Sequence, residues 1–165
     1  MGGSAAKRKG SSFERDIAKL LSEKTGESFI RAPGSGAYVG GANAHRKEFL
    51  HEGQIRTFKG DVVPGPSCAH WNIECKSYAD FPFHTLVAGK NVPILDKWID
   101  QMLDVEDDDD FNILFMKFNR KGTFICYQTD FLESDGVFYR AFDRNWVFTS
   151  IDSLDDLLPK RTGAA

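Results

Sequence analysis

Two stretches with the helical period, set among short apolar runs with strand character, leave this chain few possible folds. From Ser11 to Lys24, the apolar residues Phe13, Ile17, Leu20 and Leu21 recur along one helix face, and Gly26 stands where a C-cap belongs. Pro93 and the run from 94 to 103 predict a second helix, with Ile94, Leu95, Trp98, Ile99 and Met102 on its apolar face. SFIRA (28–32), the segment 55–63 and the segment 71–77 read as strands. The last two are separated by PGPSCAH, which is turn chemistry and predicts a hairpin. FNILFMKF and TFICYQ form another strand pair about an NRKG turn, WVFTSI reads as an edge strand, and SLDDLL as a short capped helix. The order helix, three strands, helix, two strands defines an α/β domain with helices packed on a mixed sheet. Residues 1–9, small, polar and basic, are expected to form a flexible basic arm, and residues 10–165 a single domain.

Composition narrows the class further. No apolar run approaches the roughly 20 residues needed to cross a bilayer, and MGGSAAKRKG lacks the apolar stretch of a signal peptide. An intracellular protein with no membrane partner is expected. The cysteines Cys68, Cys75 and Cys126 are odd in number and follow no disulfide framework, so reduced thiols are predicted. His45, His51, Cys68 and His70 match none of the usual paired-ligand spacings for zinc. The net charge of -3 hides an uneven distribution: residues 1–60 carry 11 Lys and Arg against 6 Asp and Glu, whereas residues 61–165 carry 10 against 18. The front of the chain is therefore the side expected to face a polyanion. The acidic run from Glu106 to Asp110 is expected to be a solvated loop facing away from it.

Within the strand 71–77, Glu74 and Lys76 lie two apart, so they project from one face while Cys75 points to the other. Asp61 falls near the end of the preceding predicted strand. Carboxylates from adjacent strands supply hard oxygen ligands for Mg²⁺, and an ammonium beside them can orient water or stabilise charge on a phosphate. The same residues also fit a plain surface ion pair and a turn. Glu14 has two readings as well. It completes a capping box with Ser11, and it borders the stripe of Phe13, Ile17 and Leu21, which lets its carboxylate lean toward the sheet as a third acid. The tryptophans Trp71, Trp98 and Trp146 are expected in the core rather than as base-stacking platforms.

Four ordered motifs carry a resemblance. Lys9-Gly10-Ser11-Ser12-Phe13-Glu14-Arg15 matches a K-G-x-x-x-E-R run, and Arg31-Ala32-Pro33-Gly34-Ser35-Gly36 matches an R-x-P-x-S-G loop. Asp61-Val62-Val63 matches D-[IV]-[IV], and Ile73-Glu74-Cys75-Lys76 matches I-E-C-K. In these motifs the chain resembles the archaeal-type Holliday junction resolvases of the PD-(D/E)XK nuclease superfamily. The resemblance implies a restriction-endonuclease-like mixed central sheet flanked by helices. It implies a Mg²⁺-dependent endonuclease, with Mn²⁺ able to substitute, that resolves four-way DNA junctions by phosphodiester hydrolysis. Glu14, Asp61, Glu74 and the Cys75 backbone carbonyl would hold the metal, Lys76 would be the catalytic lysine and Ser35 would contact the scissile region. Lys9, Arg15, Arg31, Ser35 and Lys59 become DNA contacts. Some superfamily members place a glutamine on the second helix near the site, but Gln101 is expected to be a surface polar residue.

The resemblance further implies a homodimer bound to branched DNA. It covers roughly residues 9 to 77; residues 37–59 are longer than the family pattern, and the chain beyond Tyr127 has no counterpart. A viral member, acting in the host cytoplasm or nucleoid, would accommodate both additions. The alternatives are a PD-(D/E)XK nuclease acting on duplex, flap or DNA ends, and a non-catalytic nucleic-acid-binding module.

Overall fold

The computed structural model describes residues 3–33, 59–131 and 135–160. It opens with a long helix, α1 (Gly3–Thr25), followed by β1 (Ile30–Arg31), β2 (Val62–Val63) and β3 (Trp71–Tyr78). Two helices, α2 (Phe83–Val87) and α3 (Pro93–Leu103), lead to β4 (Phe111–Phe118), β5 (Gly122–Gln128), β6 (Val137–Ala141), β7 (Arg144–Ser150) and a last short helix, α4 (Leu154–Leu157). Five strands form one sheet in the order β3-β4-β5-β7-β6. β3 and β4 are parallel, and the other pairs are antiparallel. A parallel pair cannot be joined by a tight turn, and α2 and α3 provide the required crossover. The sheet is mixed and helix-flanked, as expected.

Each face of the sheet has its own core. Ile73, Ile113, Phe115, Ile125 and Val147 pack with Phe13, Ile17 and Leu21 of α1. Leu114, Met116, Phe118, Cys126, Trp146 and Phe148 pack with Leu95, Trp98, Ile99 and Met102 of α3. The two predicted helical stripes thus cover opposite faces. Trp71, Trp98 and Trp146 are all buried, and the three cysteines are buried free thiols. No helix among the described residues is long and apolar enough to cross a membrane.

Several expectations are corrected. Residues 3–9, expected as an arm, form the first turns of α1. Ala5, Ala6 and the basic residues after them are strong helix formers, and extending an already packed helix avoids a new nucleation step. Ser11 is consequently inside the helix, where its hydroxyl donates to the Arg8 carbonyl at 3.2 Å, so the capping box does not form. The hairpin expected between residues 55–63 and 71–77 is replaced by a different pairing. β2 pairs antiparallel with β1, as Ile30 with Val63 and Arg31 with Val62, in a small separate sheet.

WVFTSI is not at the edge: β7 lies between β5 and β6. Trp146, Val147 and Phe148 are buried in succession, the mark of a strand covered on both faces. The edge on this side is β6, which joins β7 through Phe142 and Asp143, both with φ near +55°. A two-residue turn of that hand normally advertises itself with Asn-Gly or Asp-Gly, and this one does not.

Candidate active site

Asp61 is fixed from three directions. Its amide donates to the Ile73 carbonyl at 2.8 Å, its carbonyl accepts from the Ala32 amide at 2.8 Å, and its carboxylate Oδ2 accepts from the Cys75 amide at 2.8 Å. The residue therefore ties the small sheet to the free edge of β3. Gly60 makes this approach possible. Its φ is +65°, and a Cβ there would lie 2.6 Å from the Ile73 carbonyl oxygen, so only glycine fits.

Along β3 the alternation expected from the sequence holds. Cys75 packs in the core beside α1, while Glu74 and Lys76 lie on the other face, and Lys76 Nζ donates to Glu74 Oε1 at 2.7 Å. The same ammonium donates to Gln101 Oε1 on α3 at 2.8 Å. Gln101 is exposed, as expected of a surface polar residue, and the same side chain reaches the lysine. Because the Cys75 amide points off the sheet edge toward Asp61, strand geometry turns the Cys75 carbonyl toward that edge too.

Electrostatics mark this spot as unusual. Burial, followed by the nearby charge of Glu74, pushes the Asp61 carboxyl well above its ordinary value; the Cys75 amide opposes the shift and Glu14 adds to it. Glu74 is raised as well, by burial first and by Glu14, against the lowering effect of Lys76. Burial alone would lower Lys76, but its charge attraction to Glu74, their hydrogen bond and Asp61 together hold it above its ordinary value. Two buried carboxylates that resist ionisation are relieved by a divalent cation, and carboxylate with carbonyl oxygen is the donor chemistry such ions take. Asp61, Glu74 and the Cys75 carbonyl fit one.

The remaining expected residues divide. Glu14 is buried on α1, close enough that its charge raises both Asp61 and Glu74. Its carboxylate accepts a hydrogen bond from Arg31 Nε. Lys59, expected as a DNA contact, is turned inward, 8 % exposed, and ion-paired with Asp107 at 3.1 Å and with Asp110. An ammonium at the foot of the Gly60 turn needs a nearby counter-charge once it is buried. The run from Glu106 to Asp110 is the expected loop, with Asp107 to Asp109 exposed, but its ends are engaged: Asp110 pairs with Lys59 and Glu106 holds Arg144 at 2.6 Å. Arg15 is exposed on α1, and Lys9 bonds to Asn119. Ser35, the glycine-rich loop around it, His45 and His51 lie outside the described residues.

A family model described as "Phage putative PDDEXK endonuclease" matches residues 5–153, which covers all but the first two residues of α1, the site and the whole five-stranded sheet. No curated protein and no solved structure matches the chain. PD-(D/E)XK nucleases typically use divalent metals, in keeping with the donor set above. The fold is that of the restriction-endonuclease-like enzymes, and the chain belongs to the phage PDDEXK endonuclease family, as a nuclease of the PD-(D/E)XK type.

Proposed function

We propose that the protein is a Mg²⁺-dependent, structure-selective DNA endonuclease, with Mn²⁺ able to replace Mg²⁺, that cuts four-way junctions as a homodimer. The observation that carries the nuclease chemistry is the convergence of Asp61, Glu74 and Lys76 at the edge of β3, with Asp61 anchored on the Cys75 amide. Asp61, Glu74 and the Cys75 carbonyl would hold the ion, with Glu14 as the further acid beside them. Bound there, the ion supplies a Lewis acid for the phosphate and a more acidic water.

The protein's own groups do the rest. The charge of Glu74, their hydrogen bond and Asp61 outweigh burial and favour the ammonium form of Lys76. Its role is to orient water and to stabilise negative charge on the phosphate. Gln101 fixes the ammonium from the α3 side, acting as a positioning residue. Glu14 holds Arg31, whose guanidinium is a phosphate contact along with Arg15 and Lys9. Ser35 is proposed to contact the scissile region.

Preference for junctions is supported by the four ordered motifs shared with the junction resolvases. A junction has two equivalent scissile strands, and a two-fold dimer presents one site to each. A side-by-side digest of a synthetic four-way junction, a flap and a linear duplex, with the solution mass measured by light scattering, tests this. Paired symmetric nicks in the junction by a dimer are expected. A monomer that cuts linear duplex as readily as the junction overturns the substrate preference and leaves a general PD-(D/E)XK nuclease.

A further inference from the structure

We propose that the sheet end beyond Tyr78 is a second DNA contact, a cationic rim formed by the first turns of α1 and the β4–β5 turn that holds the duplex flanking the cut. The inference rests on the nuclease reading above and adds residues to it. Lys9 Nζ donates to the Asn119 side chain, joining two elements 110 residues apart in sequence. Lys7, Arg8 and Lys9 from α1 are thereby brought to the same end of the sheet as Lys117, Arg120 and Lys121. Lys117 is the exposed residue on the α1 face of β4, in line with the buried Ile113 and Phe115.

The rim is continuous with the catalytic strand. The Asn119 amide donates to the Tyr78 carbonyl at 3.2 Å, and Tyr78 stands two residues beyond Lys76 on β3. Tyr78 is 44 % exposed, with its ring against Trp98 at 4.8 Å between centroids.

Two of these cations are engaged within the protein. Lys121 pairs with Asp80 and lies 5.7 Å over the Phe83 ring, and Lys9 is on Asn119. Lys7, Arg8, Lys117 and Arg120 are exposed and have no acidic partner among the described residues. Arg120 sits at φ +59°, a left-handed conformation that favours Gly or Asn, so the turn itself does not account for an arginine there. Unpaired cations along a rim are the recognition chemistry of a phosphate backbone, which is sequence-independent and salt-sensitive. An acidic protein surface would meet the same cations, but the polyanion acted on at the adjoining site is DNA.

The test measures binding by the full chain in chelator, which blocks cleavage, with fluorescent junction and duplex probes across a salt series. Two pair variants, Lys7→Ala with Arg8→Ala and Lys117→Ala with Arg120→Asn, are compared with their combination. Lys160→Ala serves as the control: it lies three residues past Leu157, which lines a cavity with Trp71 at the other end of β3. The combined variant is expected to bind about tenfold or more weakly at physiological salt. Its plot of log affinity against log salt should flatten by about 0.9 for each phosphate that is no longer neutralised, with two or more phosphates involved. Each pair variant should show part of this, Lys160→Ala none, and shortening the duplex arms should erase the difference.

Affinity and slope equal to those of the unmodified chain overturn the rim while leaving the nuclease reading intact, and so does weaker binding with an unchanged slope. Failure of the unmodified chain to bind any DNA overturns both.

Discussion

The two ends of β3 carry opposite charge and handle it in opposite ways. At the Trp71 end, the acidic run is drawn into the fold: Lys59 is paired with Asp107 and Asp110, and Glu106 holds both Arg144 and Asn112. Asn112 in turn accepts from Asn72, whose amide also reaches the Met102 carbonyl at the end of α3. At the Tyr78 end, Lys7, Arg8, Lys117 and Arg120 point outward with no acidic partner among the described residues. A charge run in sequence therefore says little until its counter-charges are located. The acidic end acts as a structural clamp next to the Gly60 turn, and the basic end is open to a polyanion. Between them lie the carboxylates and Lys76, in surroundings that disfavour two negative charges.

The largest effects are expected at the middle of this strand. Asp61→Asn and Glu74→Gln should each abolish Mg²⁺-dependent cleavage in a gel assay while junction binding persists, because they remove metal-holding oxygens and no cation. Retention of near-normal turnover by either variant would remove the site from this strand. Lys76→Ala should slow cleavage by at least about 100-fold, the scale at which one positioned charge matters. Glu14→Gln should cost less than Asp61→Asn, since its carboxylate also serves Arg31, whereas Asp61 is anchored on the catalytic strand itself.

The acidic end should answer in stability rather than in DNA affinity. Asp110→Ala leaves the buried Lys59 with the more exposed Asp107 as its described partner. A loss of about 2–3 kcal/mol is expected in denaturant unfolding, below the cost of a fully orphaned buried charge. The salt slope of DNA binding should not change. A shifted slope with unchanged stability would merge the two ends into one binding surface and dissolve the contrast.

The smallest effect concerns pH. Burial raises Asp61 and Glu74 in the folded chain, so the protonated forms favour folding. That contribution is complete below the unfolded carboxylate pKa and is lost as pH rises through the raised folded values. In chelator, the Tm of Asp61→Asn should therefore match that of the unmodified protein at low pH and exceed it by a margin that grows as pH rises. Saturating Mg²⁺ should narrow that margin by stabilising only the unmodified site. A margin independent of pH would mean that Asp61 ionises freely in the folded state.

Much of the framework is legible from local patterns. The 3.6-residue stripe finds α1 and α3, and the period of two places Glu74 and Lys76 together with Cys75 opposite, because both follow from backbone geometry within one element. The same reasoning fails where an outcome depends on what lies across the fold. An inner β7 is legible in its unbroken Trp146-Val147-Phe148, but the Phe142-Asp143 turn lacks the Asn-Gly or Asp-Gly pair that marks a hairpin, so β6 leaves little local signal. Ser11 has the chemistry of a cap, yet the helix-forming residues before it carry α1 back to Gly3.

By itself, then, the sequence determined the two main helices and most of the strands, the residues sharing the face of β3, and four motifs in an order that points to nuclease chemistry. Only the tertiary structure decided that Asp61 leans on the Cys75 amide, that Gln101 meets Lys76, that Lys59 turns inward to the acidic run and that Glu14 turns to Arg31. Each of these joins elements distant in the chain. Periodicity fixes which way a side chain leaves its own backbone, whereas its partner is chosen by packing, burial and the need of every buried charge for a counter-charge.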